Sequence, residues 1–215
     1  MKSICCIVGA GPSPAYVRDG AFVIAADGGL VKLQALGVTP DLILGDFDSL
    51  GSRPAGENVL TFPVEKDDTD TMLAMKEALR RGYEALYISG GIGGRLDHTV
   101  ANLQSLLFAH KQGAEAFLVG ENETVTVLTH GTVTFLADCQ GKISVFALGE
   151  EAMGVTIRGL KYETAGVTLT HDFPLGVSNQ FMGAEASVTV ENGTLLLIWE
   201  GGPDGLKRKM KGYEQ

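Results

Sequence analysis

The sequence predicts two domains of different class: an α/β domain with a parallel, Rossmann-like sheet, then an antiparallel β-sandwich or barrel. Up to about residue 120, short β-rich runs alternate with helical patterns, as in a parallel sheet flanked by helices. From Glu123 onward, apolar and polar residues alternate in short runs punctuated by Gly, Asn and Asp, as antiparallel strands do. A chain of 215 residues with 45% apolar and 20% charged residues can bury one large core or two modest ones. The shift in composition near residues 120–130 divides the chain into 1–128 and 129–215, and no Pro/Ser-rich linker separates them.

Residues 4–8, 22–26, 41–45, 59–62, 84–89 and 115–119 read as the strands of the first domain. Between Asp68 and Arg81, the residues Met72, Leu73, Met75, Ala78 and Leu79 recur at near-helical spacing. Asp67 or Asp68 is placed to cap that helix, and Gly82 to stop it. A second helix is expected from Leu96 to Gln112, with Val100, Leu103, Leu106 and Leu107 as its apolar face and Gly113 at its end. The later runs TVTVL, TVTFL, KISVFAL, GVTI, GVTL, ASVTV and TLLLIW read as strands, and Glu191-Asn192-Gly193 as a hairpin turn.

A net charge of −9 argues against broad nucleic-acid binding, which needs a positive field to displace phosphate counterions. An anionic substrate would need local cations, and Lys207, Arg208, Lys209 and Lys211 read as a solvated tail. The three cysteines, Cys5, Cys6 and Cys139, are an odd number without metal-ligand spacing, which points to buried thiols in a reducing cytoplasm. The apolar run within Met1–Val8 is too short for a signal peptide, and no stretch has the length to span a bilayer.

Chemistry concentrates in three segments. In Asp41-Leu42-Ile43-Leu44-Gly45-Asp46-Phe47-Asp48-Ser49, a buried strand runs into a turn that leaves Asp46 and Asp48 at i, i+2. An extended backbone points both carboxylates the same way, where they repel unless a cation sits between them. Mg2+ suits such a pair, because it takes few carboxylates and completes its shell with water and substrate phosphates. The second segment, Lys66-Asp67-Asp68-Thr69-Asp70, opens a predicted helix, where acids also serve as caps. Both acidic clusters fall at the carboxyl ends of predicted strands, the edge where open α/β sheets bind ligands.

The third segment, Gly90-Gly91-Ile92-Gly93-Gly94-Arg95-Leu96-Asp97-His98, joins a strand to a helix. Its glycines let backbone approach a ligand, the helix N-terminus favours phosphate, and Arg95 adds a fixed positive fork. His98 and Asn102 lie one helical turn apart and reach the same side. The loop lacks the Gly-Lys-Ser/Thr ending of a Walker motif. Gly9-Ala10-Gly11-Pro12-Ser13-Pro14 opens like a dinucleotide fingerprint, but its missing third glycine and two prolines speak against nicotinamide or flavin. Asp27, in Ala26-Asp27-Gly28-Gly29, reads equally as a ribose or metal-water contact and as part of a plain strand-to-helix turn.

Taken together and in this order, AADGG, PDLILGDFDS, KDDTD and GGIGGRLDH resemble the thiamine pyrophosphokinase family. The similarity extends through Gly159-Leu160-Lys161-Tyr162 and Pro174-Leu175-Gly176-Val177-Ser178-Asn179, and so spans nearly the whole chain. The resemblance implies transfer of pyrophosphate from ATP to the hydroxyl of thiamine, giving thiamine diphosphate and AMP. It implies a catalytic α/β domain that binds nucleotide and Mg2+, a β domain that binds thiamine, and a homodimer whose sites draw on both subunits. Asp46, Asp48 and Asp70 would hold Mg2+, with Arg95 and Asp97 as further catalytic groups. Nucleotide contacts would come from Asp27, Ser49, Lys66, Asp67, Thr69, Gly90, Gly91, Gly93, Gly94, Arg95, His98 and Asn102. Ser178 and Asn179 match the family's vitamin-contacting pair, and Tyr162 stands where some members have tryptophan. Two other readings are a Mg2+-dependent pyrophosphokinase with another alcohol acceptor and a noncatalytic nucleotide or thiamine sensor.

Overall fold

The structure, a computed structural model, describes residues 3–47, 56, 58–63 and 67–209. It is a mixed α/β fold whose chain divides into two compact units, Met1–Glu121 and Asn122–Gln215. The division precedes the expected 128/129 boundary because the first strand of the second unit already begins at Glu123. Among the described residues no helix is long and apolar enough to cross a membrane.

The first unit contains β1 (Ile4–Val8), β2 (Phe22–Ala26), β3 (Leu42–Gly45), β4 (Val59–Thr61), β5 (Ala85–Ser89) and β6 (Glu115–Val119), all within two residues of expectation. They pair in parallel in the order β6-β5-β1-β2-β3-β4. Side chains in register share a face, so Leu42, Ile24, Ile7, Ile88 and Leu118 form one buried row across five strands. Ile43, Ala25, Val8, Ser89 and Val119 form the next row, on the opposite face. Burial on both faces explains why these strands read as continuous apolar runs.

Among the described residues three helices flank this sheet: α1 (Gly29–Ala35), α2 (Asp70–Arg80) and α3 (Leu96–Lys111). At seven residues α1 is too short to hold alone. Leu30 and Leu33 anchor it against Val8, Val23, Ala25 and Ile43, each contributing roughly 1.5–3 kcal/mol by burial. The α2 cap is Thr69, not Asp67 or Asp68: the Thr69 hydroxyl accepts from the Met72 N–H at 3.2 Å, while Asp68 turns to Lys76 at 2.6 Å. The apolar face of α3 is also rotated from expectation. Asn102, Ser105, Leu106 and Ala109 are buried, whereas Val100 is 48% exposed.

No helix joins β1 to β2. Pro12 and Pro14 forbid one, since each removes a donor and pushes the residue before it out of the α region. The segment instead covers the sheet with Ala15 and Val17, and Arg18 Nη1 donates to the Tyr87 hydroxyl at 2.7 Å.

The second unit is antiparallel β: β7 (Glu123–Phe135), β8 (Lys142–Ala147), β9 (Glu151–Arg158), β10 (Thr164–Thr170), β11 (Asn179–Gln180), β12 (Ala186–Glu200) and β13 (Leu206–Lys209). Its core includes Phe135, with Phe181 and Trp199 edge-on at 5.2 and 5.5 Å. Glu191-Asn192-Gly193 is not a hairpin turn. It is a bulge within β12, between Val190 paired to Gly131 and Thr194 paired to Thr129. The left-handed φ of 88° at Gly193 meets left-handed His130 on β7, whose ring Nδ1 lies 2.9 Å from the Glu191 carbonyl. For the same reason TVTVL and TVTFL are one strand, continuous through His130-Gly131.

Candidate functional site

The strand order of the first unit reverses between β1 and β5, so the loops leaving their carboxyl ends diverge and open a crevice. A cleft of about 350 Å3 lies there, lined from four directions. The β1 loop gives Gly9, Ala10 and Gly11; the ends of β2 and β3 give Ala26, Asp27 and Asp46. The start of α2 gives Thr69, Asp70 and Thr71. The β5 loop and α3 give Gly90, Gly91, Ile92, Gly94, Arg95, His98, Thr99 and Asn102.

Close backbone approach builds the glycine wall. Gly9 N donates to Ser89 O at 2.8 Å and Gly11 N to Gly90 O at 3.0 Å. A side chain at Gly11 or Gly90 would collide with the facing backbone, and Gly90 also holds φ at 71°. Asn102, buried in α3, donates its amide to Gly91 O at 2.7 Å. On the acidic side Asp27 adopts a left-handed φ of 45° while its N–H pairs with Leu44 O at 2.8 Å, tying the end of β2 to β3.

Arg95 and Asp97 engage each other. Arg95 Nη2 donates to Asp97 at 2.6 Å and Nε at 3.2 Å, and the His98 N–H adds a third bond to that carboxylate at 2.9 Å. The guanidinium holds the Asp97 carboxyl below the usual carboxylate range, and Asp97 in turn raises Arg95. Arg95 lines the cleft; Asp97 does not.

Asp27, Asp46, Thr69, Asp70, Gly90, Gly91, Gly94, Arg95, His98 and Asn102 thus line one cleft. Asp67, Gly93 and Asp97 lie outside its lining. Asp48, Ser49 and Lys66 lie outside the described residues. Among the described residues no three His, Cys, Asp or Glu side chains form a metal-holding group. Asp27, Asp46 and Asp70 are nevertheless carboxylates in the cleft lining, hard oxygen donors of the kind that fit a divalent cation sharing its shell with phosphate.

A model of the thiamin pyrophosphokinase catalytic domain matches residues 14–118, and one of the thiamin pyrophosphokinase vitamin B1 binding domain matches residues 132–195. The chain belongs to the thiamin pyrophosphokinase family. It is a transferase of the kind that makes thiamine diphosphate from thiamine and ATP. Thiamine pyrophosphokinase of Bacillus subtilis (strain 168) is 27% identical over 190 residues, covering 85% of this chain and 89% of that protein. The thiamin pyrophosphokinase structure from Geobacillus thermodenitrificans matches with a TM-score of 0.81 at 25% identity, over 94% of this chain and 99% of that one. The Bacillus subtilis structure shares the fold with a TM-score of 0.82 at 24% identity, over 93% and 99% of the two chains.

Within the region matched by the vitamin B1 binding domain, Asn179 is buried and its side chain makes three hydrogen bonds. Its Oδ1 accepts from Tyr162 N and Gln180 N, both at 2.9 Å, and its Nδ2 donates to Tyr162 O at 2.7 Å. Tyr162, at 62% exposure, is held by its backbone with its ring outward and the Lys161 ammonium 5.5 Å from the ring centre. Ser178 is exposed in the left-handed region at φ 59°, its N–H bonded to Ser144 Oγ at 3.0 Å. The cleft residues of the catalytic unit that sequence reasoning missed are Gly9, Ala10, Gly11, Ala26, Thr71, Ile92 and Thr99. Gly9 and Gly11 carry a signal, a Gly-x-Gly directly after the first strand, which in sequence looks like an incomplete dinucleotide fingerprint.

Proposed function

We propose that this family member transfers the pyrophosphoryl group of ATP to the hydroxyl of thiamine, with the nucleotide's phosphates in the cleft of the first unit. The observation that carries the reading is the lining of that one cleft by Asp27, Asp46 and Asp70 together with Gly90, Gly91, Gly94 and Arg95, at the switch point of the parallel sheet. The first unit is then a Rossmann-like catalytic domain, and the second a β-sandwich that takes the vitamin through Ser178, Asn179 and Tyr162. Mg2+ is the cation Asp46, Asp48 and Asp70 would hold, and when bound it neutralises charge on the phosphates. The active form is a cytoplasmic homodimer in which each site is completed by the second unit of the partner.

In the reaction, the thiamine hydroxyl oxygen forms a bond to the β-phosphorus of ATP, and the bond from that phosphorus to the bridging oxygen of the α-phosphate breaks. AMP leaves with the bridging oxygen. Such transfers depend on positioning and charge more than on covalent help. The glycine loop holds the phosphates against backbone, and Arg95, swinging from the exposed Asp97, places its fork on the chain. Asp97 lies outside the cleft lining, so the hydroxyl proton goes to the cleft aspartate Asp70, through a carboxylate oxygen that the cation leaves free.

One incubation with thiamine, ATP and Mg2+, resolved by chromatography, tests the reading. Thiamine diphosphate and AMP are expected in equal amounts. Formation of ADP, or ATP binding without turnover, would sink it.

A further inference from the structure

Resting on the reading of this cleft as a nucleotide site, we propose that Ser13 and Lys32 are positioning residues that make the Gly9–Ser13 loop its second phosphate-facing wall. The two prolines leave this loop without helical hydrogen bonds, so its carbonyls need other donors. Lys32, from α1, supplies them: its half-buried ammonium donates to Gly11 O and, at 2.8 Å, to Ser13 O. An unpaired carbonyl presents negative charge, which is unfavourable beside a triphosphate. Engaging both turns them toward a cation and away from the ligand.

Ser13 completes the brace from the other side. Its side chain is buried, and its hydroxyl accepts from Gly90 N at 2.9 Å, adding to the Gly11 N to Gly90 O bond at 3.0 Å. The β1 and β5 loops are therefore fastened through backbone and side chain together, and Gly9 and Gly11 line the same cleft as the acidic residues. Pro12 closes the contact, since a Cβ on Gly94 would stand 3.0 Å from its Cδ. Charge favours the same role. Arg95 is the one lysine or arginine among the described residues lining the cleft, against Asp27, Asp46 and Asp70. Lys32 adds a second full charge from behind the wall, where reduced solvation strengthens its field. Burial also pushes the Lys32 ammonium below the ordinary lysine range, as expected of a cation kept from water.

The test uses the full chain and the variants Ser13→Ala, Lys32→Met and Lys32→Arg. ATP with Mg2+ is titrated by calorimetry, and KM is measured separately for ATP and thiamine. Ser13→Ala and Lys32→Met should each weaken ATP by about tenfold, the scale of one lost hydrogen bond that braces the site, with thiamine KM unchanged. Lys32→Arg should recover most of the loss. Unchanged ATP affinity in a folded Ser13→Ala or Lys32→Met chain overturns the proposal, as does an equal rise in both KM values. Failure of both variants to fold would assign the two side chains to stability and overturn it too. If the wild-type chain binds ATP but makes no thiamine diphosphate, the proposed reaction fails while calorimetry still decides the role of the loop. A wild-type chain that binds no ATP sinks both.

Discussion

In the proposed vitamin pocket, Asn179 would act on the ligand through another residue, Tyr162. Its amide makes two bonds to the backbone of Tyr162 and a third to Gln180 N, using a donor and an acceptor that a buried asparagine must otherwise leave unsatisfied. The Glu163 carboxylate braces the same turn by accepting from Gly159 N at 2.7 Å. The backbone of Tyr162 is thus held in place, and a turn fixed before its ligand arrives costs less to order on binding than a mobile one. Asn179→Ala should raise the thiamine KM about fivefold or more while the ATP KM holds, and cost about 1–3 kcal/mol of stability from the orphaned backbone groups. Asn179→Asp should raise the thiamine KM as well, since it keeps the acceptor but sets a carboxylate oxygen against Tyr162 O. Normal thiamine kinetics in both variants would remove the Tyr162 turn from the vitamin pocket. Local sequence hides this role, because the partner of Asn179 is a backbone segment 17 positions away. Asp46 and Asp70 are different: an acid placed where an apolar run stops is visible from its neighbours alone.

At the scale of elements, the bulge in β12 shows why periodicity finds strands more readily than their joins. Asn-Gly after an alternating run signals a left-handed residue, but a tight hairpin and a bulge both need one, and only the partner strand decides between them. Here β7 continues past the irregularity on one side, and Asn192 pairs with Met153 of β9 on the other. The chain bends without reversing. Gly193→Ala should cost roughly 2 kcal/mol or more, because its φ is 88° and the new Cβ would stand 2.5 Å from Glu151 O. The denaturant midpoint measures this, and a loss no larger than that of an ordinary surface substitution would mean the bulge can rearrange. The parallel strands of the first unit are legible because both faces are buried and their apolar runs end at Gly, Pro or Asp. Helix α1 is not: with only Leu30 and Leu33 fully engaged, seven residues hold too few turns to show a period. The face of α3 is misread for a related reason. Asn102 and Ser105 occupy buried positions, the first because it serves the glycine loop, so polar residues stand where the pattern leads one to expect leucine.

For the whole molecule, the ordered motifs reveal the family, and each unit's own core explains why two family models meet on one chain. The cleft proposed for the nucleotide is lined by residues of the first unit, and the turn proposed for thiamine, at Tyr162, lies in the second. A reaction between their ligands needs both, and in the proposed homodimer the two contributions come from different chains. Two crippled variants separate the cases. Asp46→Asn removes a carboxylate from the cleft and should lower turnover by about 10²-fold, while Tyr162→Ala removes the stacking ring. Coexpressed with different tags and purified as a mixture, the chains form hybrid dimers, in which both lesions fall on one site and the other site is intact. With random pairing about half of the dimers are hybrids, so activity should return to about a quarter of the wild-type value. Purification through both tags in sequence should raise it to about half, because only hybrids remain. A doubly tagged hybrid as inactive as its parents would place each site within a single chain, and a chain that sediments as a monomer at assay concentration would remove the dimer itself.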